Sequence, residues 1–188
     1  MAALNSKTKI AVFISGKGSN LKNLIQKSKL KKSKYKIYLV ISNKTDAKGL
    51  DFAKKNKIKN YSIEKKLPVF ENNALRLIKI NSIEVICLAG FMRILSSDFI
   101  KKVKIPMLNI HPSILPKLKG LNTHERAIKA KHKFSGCTVH YVNEKLDSGE
   151  IIIQKKVKIL KSDNAISLEK KILKLEHQAY DEALKKII

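Results

Sequence analysis

The chain has 188 residues, enough for one ordinary domain with a single substantial core. Its formal charge of +25 is almost all lysine, spread along the whole length, with arginine only at Arg76, Arg93 and Arg126; this argues for a compositional bias rather than a selected nucleic-acid patch. No segment reads as a cleavable leader or reaches the roughly 20 apolar residues of a membrane span, and Cys87 and Cys137 lie in apolar runs, as reduced core residues rather than a disulfide framework.

In chain order, the first predicted strand is Ile10 to Ile14. A helix follows with Leu21, Leu24 and Ile25 on one face and Ser19 or Asn20 as its cap. A second strand spans Ile37 to Ile41, with a helix from about Ala47 to Lys55, and a short third strand falls near Tyr61. A helix from roughly Phe70 to Ile80 precedes the strand Val85 to Leu88. A short helix near Ser97 to Lys102 then leads into the strand Met107 to Ile110. Strand and helix alternating at these lengths predict right-handed crossovers and a parallel sheet covered on both faces. The last third differs. Phe134 to Val142 and Ile151 to Ile159 read as an antiparallel hairpin joined by the turn-rich loop Asn143 to Glu150. A closing helix from about Ala165 carries Leu168, Ile172, Leu175 and Ala179 on one face, after the start signal Ser162-Asp163-Asn164. The expected fold is α/β: one domain over residues 1–188, three layers, a mostly parallel sheet with an antiparallel hairpin and a long C-terminal helix.

In such sheets ligands gather at the carboxyl ends of the strands, and three segments fall there. Ser15-Gly16-Lys17-Gly18-Ser19-Asn20 joins the first strand to the first helix, and its glycines and free amides favour an anion. Leu21 stands where a dinucleotide fingerprint has its third glycine, and the second strand ends in Ser42-Asn43 rather than an acid, so a monophosphate fits better than NAD. An ordinary glycine turn remains the plain alternative. The second segment is Asn109-Ile110-His111-Pro112. Proline keeps His111 extended, and the strand period of two sends the Asn109 amide and the His111 imidazole to one face. The third is Asp147-Ser148-Gly149 in the hairpin loop, which by itself is a turn aspartate. His124, His132 and His140 show no metal-ligand spacing with His111, and neither a Gly-x-Ser-x-Gly elbow nor an ATP-binding glycine loop occurs.

At these residues the chain resembles the phosphoribosylglycinamide formyltransferase family. The resemblance runs nearly the whole length, through Ile14 to Leu21, Ser42-Asn43-Lys44, Leu88 to Leu95, Leu108 to Ser113, Gly120 to His124 and Leu146 to Gly149. It implies a Rossmann-like fold and transfer of a formyl group from 10-formyltetrahydrofolate, as co-substrate, to the amine of glycinamide ribonucleotide in purine synthesis. By the same resemblance Gly18, Ser19, Asn20 and Glu176 would hold the ribotide. Met92, Arg93, Ile94 and Leu95 would line the folate site with Asn109 and with Asn143, Glu144, Lys145, Leu146 and Asp147. Asn109, His111 and Asp147 would be the catalytic trio, with no metal. The implied setting is cytoplasmic, with small-molecule partners, no nucleic acid or membrane, and a monomer or homodimer. The pattern departs from the family around Lys65-Lys66, where an arginine for the folate tail is lacking, at Leu173, and at Leu118-Lys119.

The chemistry agrees with that trio. A neutral amine attacking a formyl carbon creates an oxyanion, to which Asn109 and a protonated His111 can donate, and an adjacent Asp147 favours the imidazolium. Methionyl-tRNA formyltransferase and formyltetrahydrofolate deformylase share the core but carry a further domain, for which this length leaves no room. A non-catalytic nucleotide-binding module would not need Asn109 and His111 aligned.

Overall fold

The computed structural model describes residues 7–188, which form two compact units: the chain up to Met107, together with Ile188, and Leu108–Ile187.

The first unit contains strands β1 (Thr8–Ile14), β2 (Tyr35–Ser42), β3 (Lys59–Ser62) and β4 (Val85–Leu88), with helices α1 (Ser19–Ser28), α2 (Gly49–Lys55), α3 (Leu67–Ile80) and α4 (Ser97–Lys102). Its strand order is β3-β2-β1-β4, and all three pairings are parallel. Ile10 through Ile14 are wholly shielded from solvent, as an unbroken apolar run in a central parallel strand requires. Because β1 lies between β2 and β4, the turns after all three strands emerge side by side at their carboxyl ends.

Two helix starts differ from expectation. The cap of α1 is Gly18, in the left-handed region at φ 71°, and no side chain caps the helix. A β-carbon there would lie 2.5 Å from the Gly49 Cα. Close approach of two backbones therefore overrides the side-chain capping that Ser19 or Asn20 could offer. Helix α3 begins at Leu67 rather than Phe70, because Pro68 in its first turn is pre-set to helical φ and has no N–H to lose.

Pro106, just before β5 (Met107–His111), accepts a hydrogen bond from the Ile86 N–H of β4 at 2.9 Å. The strands continue as β6 (Phe134–Tyr141) and β7 (Ile151–Lys158), giving the order β3-β2-β1-β4-β5-β6-β7. In the second unit β6 runs antiparallel to both β5 and β7. The expected α/β fold, mostly parallel with an antiparallel C-terminal hairpin, is the one observed. Strand β7 buries only Ile152, then alternates half-buried and exposed positions, and carries Lys155, Lys156 and Lys158, the charged pattern that discourages pairing along an edge. Helix α5 (Thr123–Lys129), absent from the sequence reading, adds one short element, and α6 (Ala165–Ile187) packs on β6 and β7. Cys87 and Cys137 are both buried and are not joined in a disulfide. Among the described residues no helix is long and apolar enough to cross a membrane.

Candidate active site

A polar cluster in the second unit grows from the end of β5. Asn109 is half-buried and His111 buried. Both reach the same carboxylate: His111 Nδ1 lies 3.3 Å from Asp147 Oδ2, and the Asn109 amide nitrogen donates to Asp147 Oδ1 at 3.4 Å. Asn109 and His111 thus share a face, as strand alternation demands. Asp147 comes from the β6–β7 loop, held in the left-handed region at φ 46°, which aspartate tolerates better than most residues.

Register explains how so distant a residue arrives. Asn109 pairs with His140, and His111 with Thr138. The chain leaving β6 therefore turns back beside the end of β5. Gly149 permits the turn, since a β-carbon there would fall 1.7 Å from the Tyr141 carbonyl oxygen. The loop following His111 is pinned as well: Thr138 Oγ1 donates to the Ser113 carbonyl at 2.7 Å and accepts from the Leu115 N–H at 3.1 Å.

Each ring nitrogen of His111 faces an acceptor, Asp147 on one side and the Leu118 carbonyl at 2.9 Å from Nε2 on the other. Full hydrogen bonding on both sides requires a proton on each nitrogen. Burial works against ionisation of Asp147. The His140 ring, the Gly120 N–H and the charge of His111 outweigh it and hold the carboxyl below its ordinary range. The Gly120 N–H donates to Asp147 Oδ2 at 2.9 Å.

His140 is the member that sequence reasoning missed. Its Nδ1 donates to the Tyr141 carbonyl at 2.8 Å, and its Nε2 accepts from the Asn109 amide at 3.2 Å. That leaves the Asn109 amide nitrogen directed at His140 and Asp147. Its place follows from the β5–β6 register, which sets it opposite Asn109 and which no local sequence pattern carries.

The other expected residues fall as follows. Asn143, Glu144, Lys145 and Leu146 are exposed on the loop that ends at Asp147. Glu176 is buried on α6. Burial, reinforced by the Glu176 carboxylate, pushes the Cys137 thiol up to about 12. Burial also lowers the His124 pKa, Glu169 opposing and His111 adding to the effect. Among the described residues no group of three or more His, Cys, Asp or Glu is arranged to hold a metal ion.

In the first unit, Gly18, Ser19 and Asn20 open α1, with Asn20 buried. After β4, Met92 and Ile94 are open to solvent and Leu95 is turned inward. Arg93 donates from Nη1 to the Lys65 carbonyl at 2.6 Å, and its guanidinium lies 5.8 Å from the centre of the Phe70 ring.

An α/β fold with an amide, an imidazole and a carboxylate at one strand end defines a class, and comparison with known proteins agrees: residues 8–184 match the family model described as formyl transferase, and the chain belongs to that family. Phosphoribosylglycinamide formyltransferase of Haemophilus influenzae is 40% identical over 94% of this chain and 85% of its own length. The trifunctional purine biosynthetic protein adenosine-3 of Homo sapiens is 41% identical over 95% of this chain, which spans 18% of that relative's length. The crystal structure of phosphoribosylglycinamide formyltransferase from Anaplasma phagocytophilum superimposes with a TM-score of 0.92 at 39% identity, over 96% of this chain and 86% of that one. Within the formyl transferases, these likenesses put the chain in the phosphoribosylglycinamide formyltransferase branch.

Proposed function

We propose that this chain transfers the formyl group of 10-formyltetrahydrofolate to the amine of glycinamide ribonucleotide, a cytoplasmic step of purine synthesis. The observation that carries this reading is the single carboxylate of Asp147 bonded to both Asn109 and His111. In the reaction the substrate amine attacks the formyl carbon and a new C–N bond forms. The formyl oxygen takes up negative charge. The bond to the folate nitrogen then breaks, that nitrogen receives a proton, and the attacking nitrogen loses one. Asn109 and His111 supply donors for the oxygen: the Asn109 N–H now on Asp147 and the His111 proton now given to Leu118 are the ones the substrate would claim. Asp147 orients the His111 ring, and His140 keeps the Asn109 amide directed.

Gly18, Ser19 and Asn20 are assigned to the ribotide phosphate, supported by the left-handed glycine at the start of α1. Glu176 is assigned to the glycinamide end. Met92 to Leu95 and the loop from Asn143 to Asp147 are assigned to the folate.

Purified protein given both substrates should release tetrahydrofolate, with none when either substrate is omitted. His111→Ala should keep the native circular dichroism and lose about 100- to 1,000-fold in turnover, the range for removing an oxyanion donor. Near-native turnover in that variant would overturn the assignment.

A further inference from the structure

The two loops assigned in the first unit, for phosphate and for folate, are joined through one serine. Ser15, the residue between β1 and the glycine turn, is buried. Its N–H donates to the Gly90 carbonyl at 3.2 Å. Its hydroxyl oxygen accepts from the Met92 N–H at 2.7 Å. The Asn43 side chain, buried at the end of β2, lies 2.5 Å from the same hydroxyl.

With its amide nitrogen turned toward β1, Asn43 meets donors and acceptors in the right sense. Its nitrogen then donates to the Ile14 carbonyl at 3.2 Å and to Ser15 Oγ, and its oxygen accepts from Arg93 Nε at 3.3 Å. Arg93 in turn donates to the Lys65 carbonyl. On the phosphate side, the Gly49 N–H donates to the Gly16 carbonyl at 3.0 Å. The glycine turn and the segment from Gly90 to Arg93 are therefore joined through the buried side chains of Ser15 and Asn43. Neither can shift without breaking hydrogen bonds that hold the other.

We infer that Ser15 and Asn43 couple the two ligands: phosphate held at Gly18–Asn20 tightens the hold of Met92–Leu95 on the folate, and folate tightens the hold on phosphate. Both are positioning residues, acting through Met92 and Arg93. A ligand that orders one loop fixes Ser15 and Asn43, so the second ligand meets a segment already set. Linkage makes the factor equal in both directions. The inference rests on the assignment of these loops to phosphate and folate.

The test uses tetrahydrofolate, which carries no formyl group to transfer, and inorganic phosphate in place of the ribotide. Wild-type protein should bind tetrahydrofolate at least about fivefold more tightly when saturated with phosphate, and phosphate more tightly by the same factor when saturated with tetrahydrofolate. In Ser15→Ala and in Asn43→Ala each ligand should still bind alone, while the factor falls to 1. A factor of 1 in the wild type, or an unchanged factor in both variants, overturns the coupling.

A measurement on unaltered protein guards against misfolded variants. Phosphate alone should slow hydrogen exchange in the peptide spanning residues 90–95, and no slowing overturns the coupling. Gly18→Ala separates the two levels: if it leaves phosphate binding intact, or if the wild type binds neither ligand, the loop assignment has failed and the coupling with it. If both ligands bind independently and Gly18→Ala removes phosphate, only the coupling has failed.

Discussion

At residue scale the cluster is governed by the charge on one carboxylate. Asp147 is buried, yet its carboxyl is held below the ordinary range, so the neighbouring His140 ring, the Gly120 N–H and the charge of His111 outweigh the loss of water. A carboxyl with a lowered folded pKa stabilises the protein above its unfolded value and loses that contribution as pH falls through the folded value. Asp147→Asn keeps an oxygen for the Gly120 N–H but has no charge for His111. The variant should be less stable than wild type at neutral pH, and the gap should close below about pH 4. Urea midpoints at pH 7 and pH 3 check this, and a constant gap would show that the charge is not the source. Turnover should fall about 100-fold, as when a positioned proton-transfer partner is lost.

How the members of this cluster could be read from sequence differs residue by residue. Asn109 and His111 were legible because strand alternation is a local rule and Pro112 forbids the helical alternative. Asp147 as a neighbour came from the family likeness, since its own three-residue turn is commonplace. His140 was not legible. Its place depends on the register of β5 against β6, where Asn109 meets His140, and no local pattern encodes pairing between segments so far apart.

At the scale of elements, the apolar runs and all but one of the helices were legible. Val85–Leu88 and Ser97–Lys102 fall where the sequence puts them. Helix α5 was missed because in seven residues only Thr123 and Ala127 are buried, too few to show a period. The start of α6 was read from Ser162-Asp163-Asn164, and the structure supplies the mechanism. Asn164 Oδ1 accepts from the Ser167 N–H at 2.9 Å, and Ser167 Oγ accepts from the Asn164 N–H at 3.1 Å, a reciprocal cap. Asp163 adds a second layer. Lys171 above all, with the Leu160 N–H and Ser167, lowers its carboxyl to about 2. Asn164→Ala should cost about 1 kcal/mol and lower the melting temperature by roughly 2–4 °C. Differential scanning fluorimetry reads that shift, and no change would mean that packing on β6 and β7 alone sets the helix start.

At the scale of the molecule, the division between the two compact units falls inside β5, between Met107 and Leu108. A boundary within a regular strand leaves no linker to unfold through, so the reading of one domain predicts a single calorimetric transition whose van't Hoff and calorimetric enthalpies agree. Two resolved transitions would replace it with two domains.

The charge of +25 belongs to the same scale. Its lysines are dispersed over both units, so their effect on anionic substrates is a long-range field rather than a set of contacts. Such a field is screened over about 8 Å at physiological ionic strength and about 3 Å at 1 M salt. Raising salt across that range should therefore increase KM for glycinamide ribonucleotide and for formyl-folate while leaving kcat nearly constant. Reversing one exposed lysine, such as Lys129 on α5, should change neither KM by more than about twofold, because a single surface charge contributes little to a dispersed field. A steep loss of binding from that one reversal would mean that the charge is organised as a patch, and the compositional explanation for it would fall.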